Sequence, residues 1–120
     1  MNVEILKGKI LTRCYKDGND QIYFVSNDGK TFRQYHSQNC CESVIIEDIN
    51  GTLDDLIGTP ILIAEESTNK NPEGFITNNH EPSHTWTFYR FMTMKGWVII
   101  RWHGKSSGFY SESVNFEEVK

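Results

Sequence analysis

The stretch that decides the fold is residues 84–118, which read HTWTFYRFMTMKGWVIIRWHGKSSGFYSESVNFEE. It holds all three tryptophans of the chain and has a run of β-forming residues on each side of Lys95-Gly96. A two-residue hairpin turn fits at that dipeptide and places Arg90 directly opposite Arg101. The stretch therefore predicts an aromatic β-hairpin at the centre of the fold.

Side chains alternate across a strand, so each strand of this hairpin has one inward row and one outward row. The row that is typical of a core contains Tyr89, Phe91, Val98, Ile100 and Trp102. The opposite row is aromatic and cationic, and it contains Trp86, Phe88, Arg90, Arg101, His103 and Lys105. Two facing arginines cost about 0.2–1 kcal/mol unless a negative group lies between them.

Two interpretations of the cationic row stay open. It is a site for an anionic ligand that contains rings, or it is a face that Glu112 and Glu117 of the last strand neutralise internally. In the first case arginine binds phosphate, an aromatic ring stacks on a base, and the polar loop at 104–108 (GKSSG) forms the rim. The predicted ligand-binding residues are Arg90, Arg101, Trp86, Phe88, His103, Lys105, Ser106 and Phe109.

Turn-forming clusters divide the rest of the chain into short strands. Strands are predicted at 21–26, 30–36, 43–49, 60–65 and 109–119, with a strand favoured over a short helix at 6–15. Asp28-Gly29 is the clearest hairpin signal, and Thr52 with Asp55 resembles a capping box that predicts a short helix at 52–57. Residues 67–83 form a predicted long loop. The predicted fold class is mainly antiparallel β (α+β) with one or two short helices, in a single compact domain, 1–120.

Composition limits the function classes. The formal net charge is −4, from 12 basic and 16 acidic residues, which argues against a general nucleic-acid binder. No apolar run is long enough to span a bilayer, and the N-terminal residues lack the pattern of a signal peptide. We therefore expect a cytoplasmic protein without a membrane partner. Three cysteines, two of them adjacent, do not make a disulfide framework, so we expect them to be reduced.

Catalytic and metal motifs are weak in this sequence. Adjacent acids on a strand, such as Glu47-Asp48 and Glu65-Glu66, point to opposite faces and do not converge by themselves. His36, Cys40 and Cys41 lack the second spaced pair that a zinc site normally has. No nucleophile elbow, phosphate-binding loop or dinucleotide fingerprint is present. The sequence therefore predicts a binding protein without cofactor or metal, and not an enzyme.

Two blocks of the chain resemble a family of small phage and prophage proteins. The first is residues 35–66, YHSQNCCESVIIEDINGTLDDLIGTPILIAEE, and the second is residues 84–118, with its TWTFY and IRW-G-S-G-YSE runs. This pattern is similar to that of the first class of Thoeris anti-defence proteins. The chain departs from it at Asn39, where the pattern usually has Asp before the cysteine pair.

The resemblance implies a function. Members of that class are sponges that capture the cyclic ADP-ribose isomer made by a bacterial TIR enzyme, without cleaving it, and some also take up cyclic oligonucleotides. It implies a homo-oligomer that is based on dimers, with a hexamer as one form, in the cytoplasm of the host bacterial cell. The surplus of large side chains on both hairpin faces predicts self-association independently. A protein-binding inhibitor or structural module, or a hydrolase of cyclic nucleotide signals, remains the alternative.

Overall fold

A computed structural model describes residues 2–39, 41–70, 83–107 and 111–120. Within these ranges the chain forms two 3-10 helices and eight strands. The helices span Val3–Leu6 and Leu53–Leu56. The strands are β1 (Leu11–Lys16), β2 (Gln21–Ser26), β3 (Thr31–Tyr35), β4 (Ser43–Asn50), β5 (Ile63–Lys70), β6 (Ser83–Thr93), β7 (Gly96–Ser106) and β8 (Asn115–Val119).

The strands form two four-stranded sheets. The first sheet has the order β1-β2-β3-β8, and the second sheet has the order β4-β7-β6-β5. Every pair of neighbouring strands is antiparallel. The predicted fold class, mainly antiparallel β with short helices, is confirmed, and the aromatic hairpin β6–β7 occupies the centre of the second sheet.

The inner faces of the two sheets pack on each other and form the core. Phe24 of the first sheet meets Phe91 of the second, with ring centroids 5.6 Å apart. Trp102 is fully buried, and its Nε1 donates to Gln34 Oε1 across the interface at 3.1 Å. A buried indole N–H needs such a partner. The predicted inward row of the hairpin therefore does form the core, and it turns the other row towards solvent.

Local signals predicted several elements well and others only in part. β2 has its predicted bounds, and the turn at Asp28-Gly29 joins it to β3, with a φ of 89° at the glycine. The predicted helix at 52–57 is a 3-10 turn over Leu53–Leu56, and the Thr52 side chain makes no capping hydrogen bond. The capping-box prediction is therefore wrong, although the short helix exists.

Two strands differ from their predicted bounds. β5 runs over Ile63–Lys70, so it starts later than the predicted strand at 60–65 and uses part of the predicted loop at 67–83. The rest of that loop, residues 71–82, lies outside the described residues. β8 starts at Asn115, later than the predicted strand at 109–119, and residues 108–110 are likewise outside.

The hairpin turn differs from its predicted position by one residue. Thr93 pairs with Gly96, so Met94-Lys95 is the two-residue turn. Gly96 has a φ of 130°, a left-handed value that favours glycine, and it is the first residue of β7. A turn that is one residue earlier moves the cross-strand register by two, which changes every predicted pair but leaves every side chain on its predicted face.

Candidate functional site

The candidate site is the outer face of the second sheet. All six outward residues predicted on the hairpin share this face, because the two-residue register change preserves the alternation. Their partners differ from the prediction: Phe88 lies opposite Arg101, and Trp86 lies opposite His103. The predicted Arg90–Arg101 pair is wrong, since Arg90 lies opposite Ile99. The two arginines are diagonal neighbours, so the expected direct repulsion is relieved without a ligand.

A β-bulge in β4 adds two carboxylates to this face. Ile46 pairs with Trp102 and Asp48 pairs with Arg101, so Glu47 is the extra residue. In a bulge, two residues of one strand oppose one residue of the partner strand. Glu47 and Asp48 therefore both oppose Arg101, and both are exposed. The prediction that these adjacent acids do not converge is wrong at this position.

Arg101 forms an ion pair with Glu47. Its Nε lies 2.7 Å from Glu47 Oε1, and the other carboxylate oxygen lies 3.7 Å from His103 Nδ1. The Arg101 Nε–H nevertheless makes no aligned hydrogen bond with a described acceptor. The side chains of Arg101 and Glu47 are 39% and 35% exposed. The Nε atom itself is buried, but both side chains are partly open to water, and this screening limits the contribution of the contact to stability.

The face is balanced in charge and not cationic. β5 places Glu65 opposite Arg90, as β4 places Glu47 and Asp48 opposite Arg101. Three carboxylates therefore stand beside the three predicted basic residues. The carboxylates that were expected to neutralise the arginines, Glu112 and Glu117, are bound elsewhere. The internal neutralisation left open by the sequence occurs through β4 and β5, and both strands precede the hairpin in the chain.

His84 extends the predicted aromatic row by one position. Its Nδ1 lies 2.8 Å from His103 Nε2, so one imidazole donates a hydrogen bond to the other. Trp86 lies beside both rings, with centroids 4.8 Å from His103 and 5.6 Å from His84. Strand alternation already placed His84 two residues before Trp86, and that signal was available in the sequence but missed.

The environment of His103 disfavours its charged form. Partial burial lowers the pKa of His103 from its ordinary value, and the neighbouring His84 and Lys105 act in the same direction. Glu47 and Glu112 act in the opposite direction. Lys105 itself is exposed and lies opposite His84 at the edge of the row, which agrees with its predicted place at the rim.

Ser106 does not join this face. Ser106 lies on the inner row of β7, where it is buried and donates to Glu112. Thr85 and Ser83 donate to the other oxygen of the same carboxylate, at 2.7 and 3.3 Å. Ser106 therefore fastens the Glu112 segment to the sheet, which differs from its predicted place at the rim. Phe109 lies outside the described residues.

His36 contacts a second buried carboxylate, that of Glu42. Its Nε2 lies 2.8 Å from Glu42 Oε2, and its Nδ1 lies 2.7 Å from the carbonyl oxygen of Ser113. Gln38 Nε2 and the Asn39 backbone N–H also donate to Glu42. His36 thus joins the segment before β4 to the segment before β8. No group of three His, Cys, Asp or Glu side chains in the described ranges is arranged to hold a metal ion.

The cysteines differ in state. Cys14 is a free thiol in the core, and burial, with a smaller contribution from Asp54, raises its pKa to about 12. Cys41 is disulfide-bonded, so the expectation that all three cysteines are reduced is wrong. Cys40, which belongs to the weak zinc pattern with His36 and Cys41, lies outside the described residues.

A family model described as a domain of unknown function, DUF7448, matches residues 4–116. The chain belongs to the DUF7448 family. The matched range includes the whole outer face of the second sheet and both buried carboxylates. No curated protein and no solved structure matches this DUF7448 chain. Among its described residues, no helix is long and apolar enough to cross a membrane.

Proposed function

We propose that this protein binds and sequesters a cyclic ADP-ribose-type nucleotide signal without cleaving it. In this proposal it is a phage anti-defence sponge that blocks TIR-based Thoeris immunity in the cytoplasm of the host bacterium. The observation that carries the proposal is the cross-strand pair of Phe88 and Arg101 on a solvent-facing sheet. The resemblance of residues 35–66 and 84–118 to Thoeris anti-defence proteins supports the same function.

The chemistry of the face suits such a ligand. Arginine binds a pyrophosphate through charge-assisted and bidentate hydrogen bonds, and Arg90 and Arg101 lie diagonally on neighbouring strands. Trp86 and Phe88 provide rings for stacking an adenine. Cyclic oligonucleotides carry phosphodiester anions and stackable bases, so they are a second ligand class for this face. Sequestration needs no nucleophile or general base, only a sufficiently low dissociation constant.

Self-association is part of the proposal. Large apolar side chains cluster at the turn end of the same sheet: Trp97 is 48% exposed, Met94 77% and Leu62 45%. The backbone N–H of Leu62 donates to the carbonyl oxygen of Met92, so these exposed apolar residues lie near the same turn, and such patches are typical of contact surfaces. We expect a homo-oligomer built from two-fold dimers, with a hexamer as its largest form, and light scattering at micromolar concentration tests this. A monomer would remove this part of the proposal.

The same apolar cluster favours one alternative function, a protein-binding inhibitor. A pull-down from host lysate that recovers one stoichiometric protein, together with no binding of cyclic ADP-ribose, would support that alternative. A hydrolase of cyclic nucleotide signals is the other alternative, and it differs from a sponge in the fate of the ligand.

One experiment separates sponge from hydrolase. The protein is incubated with cyclic ADP-ribose, and the unbound fraction is removed. The protein is then denatured, and the mass of the released compound is measured by mass spectrometry. A sponge releases intact ligand in a fixed ratio to protein. A release of cleaved product, or the retention of no ligand, would contradict the proposed function.

A further inference from the structure

Glu47 occupies the centre of the candidate anion site. One carboxylate oxygen lies 2.7 Å from Arg101 Nε, and the other lies 3.7 Å from His103 Nδ1. The bulge in β4 brings Glu47 to this position, since a regular strand would place only one acidic side chain opposite Arg101. A carboxylate thus already fills the space between the two groups that would attract a ligand phosphate.

The geometry points to Glu47 as an internal anion that competes with the ligand, so that a phosphate group binds Arg101 by replacing this carboxylate. This inference rests on the proposed function, because it concerns the same face. It assigns to Glu47 a role in setting affinity and selectivity that the sequence did not indicate.

Three properties make the contact exchangeable. Both side chains are more than one-third exposed, so either can be solvated when the pair opens. The Nε–H of Arg101 is buried and has no aligned acceptor among the described residues, so an oxygen that replaces Glu47 at a better angle gains a hydrogen bond. A pyrophosphate also offers more charge and more acceptor oxygens than a single carboxylate. Replacement is therefore favourable only for a ligand that uses these advantages.

The surrounding charges make the competition selective. Asp48 stays opposite Arg101 after Glu47 moves, and Glu65 stays opposite Arg90. Lys105 and the His84–His103 pair lie at the other end of the row. A single weak anion meets repulsion from these carboxylates and gains little. A pyrophosphate, which reaches both arginines, gains two charge-assisted contacts, so the face selects linked phosphates over single anions.

The test uses two probes and a matched pair of variants. Inorganic pyrophosphate probes the anion site without a base, and cyclic ADP-ribose probes the whole face, both by calorimetry on the full chain. Glu47→Gln removes the competitor and keeps its shape. Glu65→Gln removes the same charge from the same face and measures the general field effect. We expect Glu47→Gln to bind pyrophosphate about two- to fivefold tighter, the range of an exposed ion pair, and Glu65→Gln to change less.

A double-mutant cycle locates the effect at Arg101. The gain in pyrophosphate affinity from Glu47→Gln should disappear in an Arg101→Ala background, because the Glu47 carboxylate then has no arginine to compete for. A gain that persists there would overturn the inference, as would wild-type affinity or weaker binding in Glu47→Gln. If the wild-type protein binds cyclic ADP-ribose while Glu47→Gln is unchanged, only this inference fails. If the wild-type protein binds neither probe, the proposed function fails with it.

Discussion

An arginine–glutamate ion pair lies on the outer face of each sheet, and the two pairs are supported differently. In the first sheet, Nε and one terminal nitrogen of Arg33 both lie 2.6 Å from Glu117 Oε1. The guanidinium lies 4.1 Å from the ring centroid of Tyr35, whose hydroxyl donates to Glu117 Oε2 at 3.2 Å. In the second sheet, Arg101 approaches Glu47 at 2.7 Å without an aligned hydrogen bond from Nε.

The difference separates an arginine that serves the fold from one that can serve a ligand. The bonds of Arg33 lie within the regular ladder of β3 and β8, where it is the direct partner of Glu117. Arg101 meets its carboxylate through a bulge, beside a second acid and a histidine pair. The same residue types thus give a closed network on one face and an incompletely satisfied cation on the other. Four measurements test that contrast.

The largest effect is expected for a carboxylate that is more enclosed than either pair. Glu112 is 8% exposed and accepts from Ser83, Thr85 and Ser106. Glu112→Ala leaves several half-buried or buried hydroxyls without a partner, so we expect a loss of about 3 kcal/mol or more in unfolding free energy. Urea denaturation measures it. Glu47→Ala is the control, with a change below about 1 kcal/mol; equal losses would show that burial does not distinguish these carboxylates.

The next effect concerns ligand affinity. Arg101→Ala should weaken cyclic ADP-ribose binding by about one to two decades, from about 1.5–3 kcal/mol for hydrogen bonds to a charged group. The melting temperature should stay close to that of the wild type, because the Glu47 contact is exposed and poorly aligned. Calorimetry and thermal melts on this variant check both halves. A lower melting temperature with unchanged affinity would assign Arg101 to the fold and reverse the comparison.

The outward row was predictable because alternation is a local property of a strand. Trp86, Phe88 and Arg101 keep their predicted face although the turn is at Met94-Lys95 and not at Lys95-Gly96. The cross-strand pairs were harder to predict, because they depend on the position of the turn. Glycine is favoured within tight turns, but here Gly96 is the first residue of β7.

The carboxylates were beyond the reach of local patterns. Glu47 reaches Arg101 because β4 pairs with β7 across about half the chain, and because a bulge changes the direction of its side chain. Neither the strand order nor the bulge is encoded by periodicity in residues 43–49. Glu117, which the sequence left open as a partner of the hairpin arginines, pairs with Arg33 because β8 joins the other sheet. Charge balance at a sheet face therefore depends on the topology.

A smaller effect is expected for the Arg33–Glu117 pair of the first sheet. Arg33→Ala should lower the unfolding free energy by about 1–2 kcal/mol, since it removes an ion pair and a cation–π contact, and leave cyclic ADP-ribose affinity unchanged. It is the matched control for Arg101→Ala, with the same substitution on the opposite face. Urea denaturation and calorimetry on the two variants should give opposite patterns. A binding defect in Arg33→Ala would mean that the ligand site is not confined to the second sheet.

The smallest effect is the pH dependence that His103 contributes. Partial burial lowers its pKa in the folded protein below the ordinary value of 6.5. Above that pH the ring is neutral in both states and the native state bears no penalty. As the pH falls below it, the unfolded chain takes up the proton first, so stability decreases towards the folded pKa.

Ligand binding should have the opposite pH dependence. A phosphate beside His103 favours the imidazolium, so cyclic ADP-ribose should bind more tightly as the pH falls through the same window. His103→Gln should reduce both slopes, measured by urea denaturation and by calorimetry between about pH 7.5 and 5.5. His36→Gln is the control for the affinity slope, because His36 contacts Glu42 and Ser113 away from the sheet face. If affinity and stability change with pH in the same direction, His103 does not contact the ligand phosphate. In that case Arg101, the cation of the Arg101–Glu47 pair, binds the phosphate without His103.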